Sequence, residues 1–260
     1  IRLSLNENRF GPAAAAMDAI RNEMDRICRY PDRAGLLTKA IAARENVPDD
    51  QIVLGEILGQ LGYQLAASGP SGGEFIYSEP GYTALVDAVA PGGGRTIAVP
   101  LDGRLENDLP AISAKVNPRT RAIYLVNPHN PSGTVSDRET FLRFVQEMSR
   151  RTTVIVDEAY LEFEPDFIER TAVGLTRTGE NVIVFRTFAK MYALAGLSIG
   201  YAVAPKAHAA ALKRAGIGGP EAFDRFVIAA SIGSLGDSGY VPAVRAKVAA
   251  ERSAWHRLFD

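Results

Sequence analysis

The chain has a single cysteine, Cys28, among 260 residues, which excludes an internal disulfide framework and every cysteine-rich metal site. A reducing compartment fits that usage. Histidine is scarce too: His129, His208 and His256 have no ligand spacing, which argues against a histidine metal site or a Ser/His/Asp triad. Excess charge is also missing, since 29 Lys and Arg face 30 Asp and Glu for a net charge of −1. No bulk field draws the protein to nucleic acid or anionic lipid. No apolar run approaches the ~18 residues of a membrane span, and Ile1 to Phe10 show no basic start followed by an apolar stretch. The expectation is a cytoplasmic protein with no membrane or nucleic-acid partner. A G-x-x-x-x-G-K-[ST] loop is absent, so the apolar run ending in Asp157-Glu158 is not the magnesium-binding strand of a P-loop ATPase. Gly69-Pro70-Ser71-Gly72-Gly73 matches G-x-S-x-G but precedes a strand instead of following one, so it reads as a connecting loop.

What is present is an ordinary globular composition, 47% hydrophobic and 23% charged, long enough for one large domain or one domain and part of a second. Short apolar runs mark strands at Glu74–Tyr77, Thr96–Val99, Ala122–Val126, Thr153–Val156, Asn181–Phe185 and Ile199–Val203. Helical spacing falls between them at Tyr82–Ala90, Asn107–Val116, Asp137–Arg150 and Lys206–Ala215. This alternation predicts an α/β fold: a mostly parallel central sheet with helices on both faces. Pro12–Ile27 and Ala34–Glu45 read as two helices before it, separated by Tyr30-Pro31-Asp32, and Glu221–Leu235 and Val241–Leu258 as long helices after it.

In such a sheet the binding crevice lies outside the carboxyl ends of the strands. Four polar clusters follow predicted strands: Glu79-Pro80-Gly81-Tyr82, Asn127-Pro128-His129-Asn130-Pro131-Ser132-Gly133, Asp157-Glu158-Ala159-Tyr160 and Thr187-Phe188-Ala189-Lys190. Taken singly they are turn chemistry, a solvated strand end and a surface lysine. Together they place an aromatic face, an amide, a carboxylate, a phenol, a hydroxyl and an amine at one sheet edge.

In that order and spacing, with thirty-three positions between Asp157 and Lys190, the chain resembles the class I/II, fold type I aminotransferases that use pyridoxal phosphate. Leu5-Asn6-Glu7-Asn8, Arg29-Tyr30-Pro31-Asp32 and Leu194-Ala195-Gly196-Leu197 extend the resemblance, which within that family is to the histidinol-phosphate aminotransferase-like branch. The resemblance implies pyridoxal 5'-phosphate as cofactor, a small-molecule amino acid and a 2-oxo acid as substrates, and a homodimer. By resemblance Lys190 is the catalytic amine that joins the cofactor aldehyde and moves a proton, and Asp157 is the carboxylate paired with the protonated ring nitrogen. Tyr82 matches the aromatic stacked on the ring, Asn130 and Tyr160 the groups at its phenolic oxygen, and Thr187 a phosphate-binding hydroxyl. Leu58 and Gly59, in Gly55-Glu56-Ile57-Leu58-Gly59, stand at the family's phosphate turn, where only backbone amides are on offer. Tyr30 matches a tyrosine that reaches the phosphate of the neighbouring subunit, and Asn6 is a substrate-binding position. No metal is expected.

Two departures qualify the match. Eight residues beyond Lys190 the family carries an arginine that pairs with phosphate, and this chain has Ser198; the serine before the lysine is Ala189. Family members also continue past the position of Asp260 into a C-terminal small domain. The expected organisation is 1–33 as an N-terminal arm and part of a small domain, 34–235 as the cofactor-binding large domain, and 236–260 as the start of the C-terminal small domain, its remainder absent from the chain. The leading expectation is transamination of histidinol phosphate or an aromatic amino acid. Another pyridoxal-phosphate reaction, such as decarboxylation, racemisation or oxidation, and a degenerate non-catalytic dimeric homologue are the alternatives.

Overall fold

A computed structural model describes residues 4–219 and 222–259. The outermost residues of the expected terminal segments, 1–3 and 260, and the expected helix start at Glu221 lie outside the described residues. Seven strands form one sheet: β1 (Ile52–Leu54), β2 (Glu74–Glu79), β3 (Arg95–Pro100), β4 (Thr120–Val126), β5 (Thr153–Asp157), β6 (Val182–Thr187) and β7 (Gly200–Val203). Their order across the sheet is β1-β7-β6-β5-β4-β2-β3. Every pair from β6 to β3 is parallel, whereas β7 runs antiparallel to both of its neighbours. The mostly parallel sheet expected from the alternation is therefore present. The reversal of β7 follows from its connection: only a 3-10 turn at Ala195–Leu197 lies between β6 and β7, so no crossover helix carries the chain back.

The described helices are α1 (Ala14–Glu23), α2 (Ala34–Glu45), α3 (Leu58–Ala67), α4 (Leu109–Lys115), α5 (Arg138–Ser149), α6 (Phe167–Arg170), α7 (Val173–Arg177), α8 (Lys206–Arg214), α9 (Arg225–Gly236) and α10 (Tyr240–Phe259). Strand periodicity sorts the core into two layers. Val154 and Val156 join Leu37 and Ile41 of α2, Phe141 and Val145 of α5, and Ile228 of α9 on one face. Ile155 points the other way, into a layer with Leu58, Leu61 and Leu65 of α3 and Leu212 of α8. Helices thus cover both faces. Several starts are capped as the polar residues before them suggest: Asp108 accepts from Ala111 N at 2.9 Å, Asp137 from Thr140 N at 3.0 Å and Asp224 from Phe226 N at 2.8 Å.

Two local expectations change. The helix predicted over Tyr82–Ala90 is a set of turns with one 3-10 turn at Val86–Ala88. Its backbone is pinned against α3, where a Cβ on Gly62 would lie 2.2 Å from Leu85 O, and Gly92-Gly93-Gly94 follow at once. Strand β1 was not anticipated because its three residues carry too little periodicity.

Beneath the sheet edge lies a buried ionic cluster. The Arg186 guanidinium donates through Nε and Nη2 to Glu158 Oε2 at 3.1 and 3.0 Å, through Nη1 to Glu45 Oε1 at 3.0 Å and through Nη2 to Thr171 Oγ1 at 2.8 Å. Tyr201 Oη donates to Glu45 Oε1 at 2.7 Å. Removing the cation strands two buried carboxylates. Arg186→Met is therefore expected to cost on the order of 3–5 kcal/mol in urea unfolding at neutral pH. A loss below about 1 kcal/mol would mean that the carboxylates find other partners.

Candidate active site

A cavity of about 510 Å³ opens at the carboxyl ends of the parallel strands. It is lined by Tyr82 after β2, Asn130 after β4, Asp157 at the end of β5, Tyr160 just beyond it, and Thr187 and Lys190 at and after the end of β6. These six strand-end residues singled out in sequence therefore meet in one place, and Asn6 from the N-terminal segment joins them as a seventh.

Asp157 sits at the floor, 1% exposed. Its Oδ1 accepts from Ala159 N at 3.0 Å and its Oδ2 accepts from Tyr124 Oη at 2.9 Å. Burial pushes its pKa up to about 6, against the pull of those two hydrogen bonds and with a push from the nearby carboxyls of Glu56 and Glu158. The same burial, with the charge of Asp157, holds the Tyr124 phenol well above its usual range. Tyr124 was not foreseen as a site residue. It lies inside a strand where the sequence shows only an apolar run, and its hydroxyl finds Asp157 from the neighbouring strand.

Tyr160 gathers the polar groups of one wall. Asn6 Nδ2 donates to its hydroxyl at 3.1 Å and Asn130 Nδ2 at 3.5 Å, while Lys190 Nζ lies 5.7 Å from its ring centroid. Lys190 is half-buried, more open than the fully desolvated amine that a Schiff-base role suggests, and donates to Leu5 O at 3.0 Å. Tyr82 forms the opposite edge and is 45% exposed. Thr187 is buried, and its hydroxyl donates to the carboxyl of Glu56. Glu56 follows β1 at the same edge of the sheet; read in sequence as part of a turn without useful side chains, it is a lining residue.

Other expected positions do not meet the cavity through their side chains. Leu58, the first residue of α3, is buried in the core against the sheet, and Gly59 follows it, so the turn offers backbone only. Tyr30 is 94% exposed in the single chain, on a turn between α1 and α2. Ser198, with φ of 50°, lines the cavity where the resemblance implies an arginine. Among the described residues no cluster of His, Cys, Asp or Glu is arranged to hold a metal ion. No described helix is long and apolar enough to cross a membrane.

Comparison with known proteins agrees with this geometry. The family profile for aminotransferase class I and II matches residues 1–258. A histidinol-phosphate aminotransferase of Moorella thermoacetica is 34% identical over 207 residues, covering 78% of this chain and 53% of the relative. An aromatic amino acid aminotransferase of Streptomyces avermitilis is 36% identical over 220 residues, covering 83% of this chain and 61% of the relative. The chain thus spans a little more than half the length of these two curated relatives. Among solved structures, the histidinol-phosphate aminotransferase of Sinorhizobium meliloti in complex with pyridoxal-5'-phosphate superimposes with a TM-score of 0.86 at 32% identity, covering 97% of this chain and 69% of that one. The profile match spans nearly the whole chain, and the chain belongs to the aminotransferase class I and II family.

Proposed function

We propose that this chain carries the cofactor site of a pyridoxal-phosphate-dependent aminotransferase, moving an amino group between an amino acid and a 2-oxo acid. The observation that carries the reading is the pairing of a buried carboxylate, Asp157, with an amine, Lys190, in one cavity beside an aromatic wall. The donor set suits a phosphorylated pyridine aldehyde: an acid at the floor, Tyr82 for the ring face, Asn130 and Tyr160 as hydrogen-bond partners of a ring oxygen, and Thr187 with the backbone of Leu58 and Gly59 at the phosphate end. The cofactor, when bound, supplies an aldehyde and a protonated ring able to take up electron density from the substrate α-carbon. Asp157 holds its negative charge at the ring nitrogen, in a place where burial makes that charge costly until a cation meets it. Lys190 Nζ takes and returns the α-carbon proton. Asn6, hydrogen-bonded to Tyr160, faces the substrate side.

Substrate choice follows the named relatives, histidinol phosphate or an aromatic amino acid, consistent with a role in amino-acid biosynthesis. The wholly exposed Tyr30 supports a homodimer in which this side chain completes the partner's phosphate site. In this reading 34–235 is the cofactor-binding unit, and 1–33 and 236–260 belong to the small domain. The exposed thiol of Cys28 suits a reducing, cytoplasmic setting.

Two experiments test the proposal. Borohydride reduction of the protein mixed with pyridoxal 5'-phosphate is expected to add one pyridoxyl group to the peptide containing Lys190, and Lys190→Ala to abolish it. Given an aromatic amino acid or histidinol phosphate without oxo acid, the loaded protein is expected to release pyridoxamine 5'-phosphate in proportion to sites; carbon dioxide or racemised amino acid instead would replace transamination with another reaction.

Asp157 yields a further expectation. Its pKa in the folded chain, about 6, exceeds the ordinary 3.8, so the folded state binds the proton more tightly than the unfolded state. Its contribution is favourable below pH 4 and is lost as pH rises to 6 and beyond, a cost of roughly 3 kcal/mol. Asp157→Asn keeps the oxygen facing Ala159 and never ionises. The variant is expected to be more stable than wild type at pH 8 and equal at pH 4 in the absence of cofactor, while losing cofactor affinity. Equal stability at both pH values would show that Asp157 is not strained by burial.

A further inference from the structure

One cavity-lining group has no role in the reading above. Glu56 leaves β1 immediately after Gly55, whose φ of 117° turns the chain toward the cavity. Its carboxyl is the nearer acceptor for the one hydrogen of Thr187 Oγ1, the hydroxyl assigned to phosphate, with Ile199 O at 3.3 Å as the other. Gly200 on β7 makes room for it: a Cβ there would lie 3.1 Å from Glu56 Oε1 and 2.7 Å from Arg186 O. The titratable groups facing Glu56 are Asp157 at the end of β5, Lys190 beyond β6 and Tyr82 beyond β2. Lys190 is the one cation among the lining residues, and at the position of the family arginine stands Ser198.

A phosphate dianion is acceptor only. Set against Thr187 it meets either a second anion that already holds the hydroxyl hydrogen, or a carboxylic acid. In the second case Glu56 donates its O–H to a phosphate oxygen, Thr187 turns its own O–H to another, and one proton is taken from solvent for each phosphate bound. Resting on the proposed cofactor, we infer that Glu56 binds the cofactor phosphate as a neutral hydrogen-bond donor, and that its ionised form, closed on Thr187, competes with phosphate. Although Glu56 opens to the cavity, protein crowding its carboxyl pushes its pKa up and so favours the neutral form, against the opposing pull of the Thr187 hydrogen bond and of Lys190.

The test is the pH dependence of binding. Dissociation constants for pyridoxal 5'-phosphate and for pyridoxal, which has no phosphate, are measured between pH 6 and 8.5 for wild type, Glu56→Gln and Glu56→Ala, each checked for folding by circular dichroism. Titration calorimetry in two buffers of different ionisation enthalpy counts the protons taken up. Wild type is expected to lose up to about tenfold affinity per pH unit for the phosphorylated ligand beyond any loss for pyridoxal. Both variants lose that extra slope, bind the phosphorylated ligand at least about tenfold tighter than wild type at pH 8.5, and take up one proton fewer. Ionisation of the phosphate and of Lys190 is common to all three proteins and cancels. Identical pH profiles in wild type and variants, or an equal change for pyridoxal, overturn the inference and leave the cofactor reading standing. If wild type and variants bind neither ligand at any pH, the cofactor reading falls and this inference falls with it.

Discussion

The site depends on the neutralisation of Arg186. Its guanidinium is buried between Glu158 and Glu45, and the three groups come from β6, the residue after β5, and the end of α2. Burying one of these charges alone costs several kcal/mol, so the elements that carry them settle together or not at all. Successive side chains of a strand face opposite ways, and Arg186 precedes Thr187 as Glu158 follows Asp157. Locking the first member of each pair under the sheet sets the direction of the second. Asp157 and Thr187 are aimed into the cavity because their neighbours are tied down behind it.

The ionic layer continues outward without losing balance. Arg44, beside Glu45 on α2, pairs with Glu162, which also accepts from Tyr192 Oη at 2.8 Å. Tyr192 comes from the segment directly after Lys190, so the loop that carries the amine is anchored to the same cluster. Asn8 Nδ2, donating to Met191 O at 2.8 Å, clamps that loop from the N-terminal side. Lys190 therefore rests on a short, heavily tethered turn. Such support suits the proton-carrying role proposed for it.

What could be read from the sequence, and what could not, divides along distance in the chain. Asp157, Tyr160, Asn130 and Lys190 were legible because each follows an apolar run, and a parallel sheet gathers the ends of such runs at one edge. Glu56 obeys the same rule and was still missed. Its strand is only three residues long, so the run that announces it is barely visible, and its partner Thr187 is 131 positions away. Tyr124 and the Arg186 cluster were hidden for a related reason. A buried tyrosine or arginine inside a strand looks like any other strand residue until the fold brings Asp157 to the hydroxyl of one and Glu45 against the other. The expected helix at Tyr82–Ala90 failed locally, because its spacing is helical while a close approach to Gly62 allows only tight turns.

Ser198 and Glu56 make sense only as a pair. A guanidinium at position 198 would sit at the same cavity as the Glu56 carboxyl and keep it ionised, because an adjacent cation favours the charged acid. The arginine would then be shared between Glu56 and phosphate, and much of its value to the cofactor would be lost. With serine there instead, only the Thr187 hydrogen bond and Lys190 hold Glu56 in its charged form, and the proton that neutralises the acid also supplies a donor. Serine at one position and acid at the other therefore exchange a permanent positive charge for a proton taken up on binding. The consequence is physical: an arginine anchor is indifferent to pH across the neutral range, whereas a carboxylic-acid anchor grips phosphate only while it stays protonated. Occupancy of this site is thereby tied to the proton concentration around it.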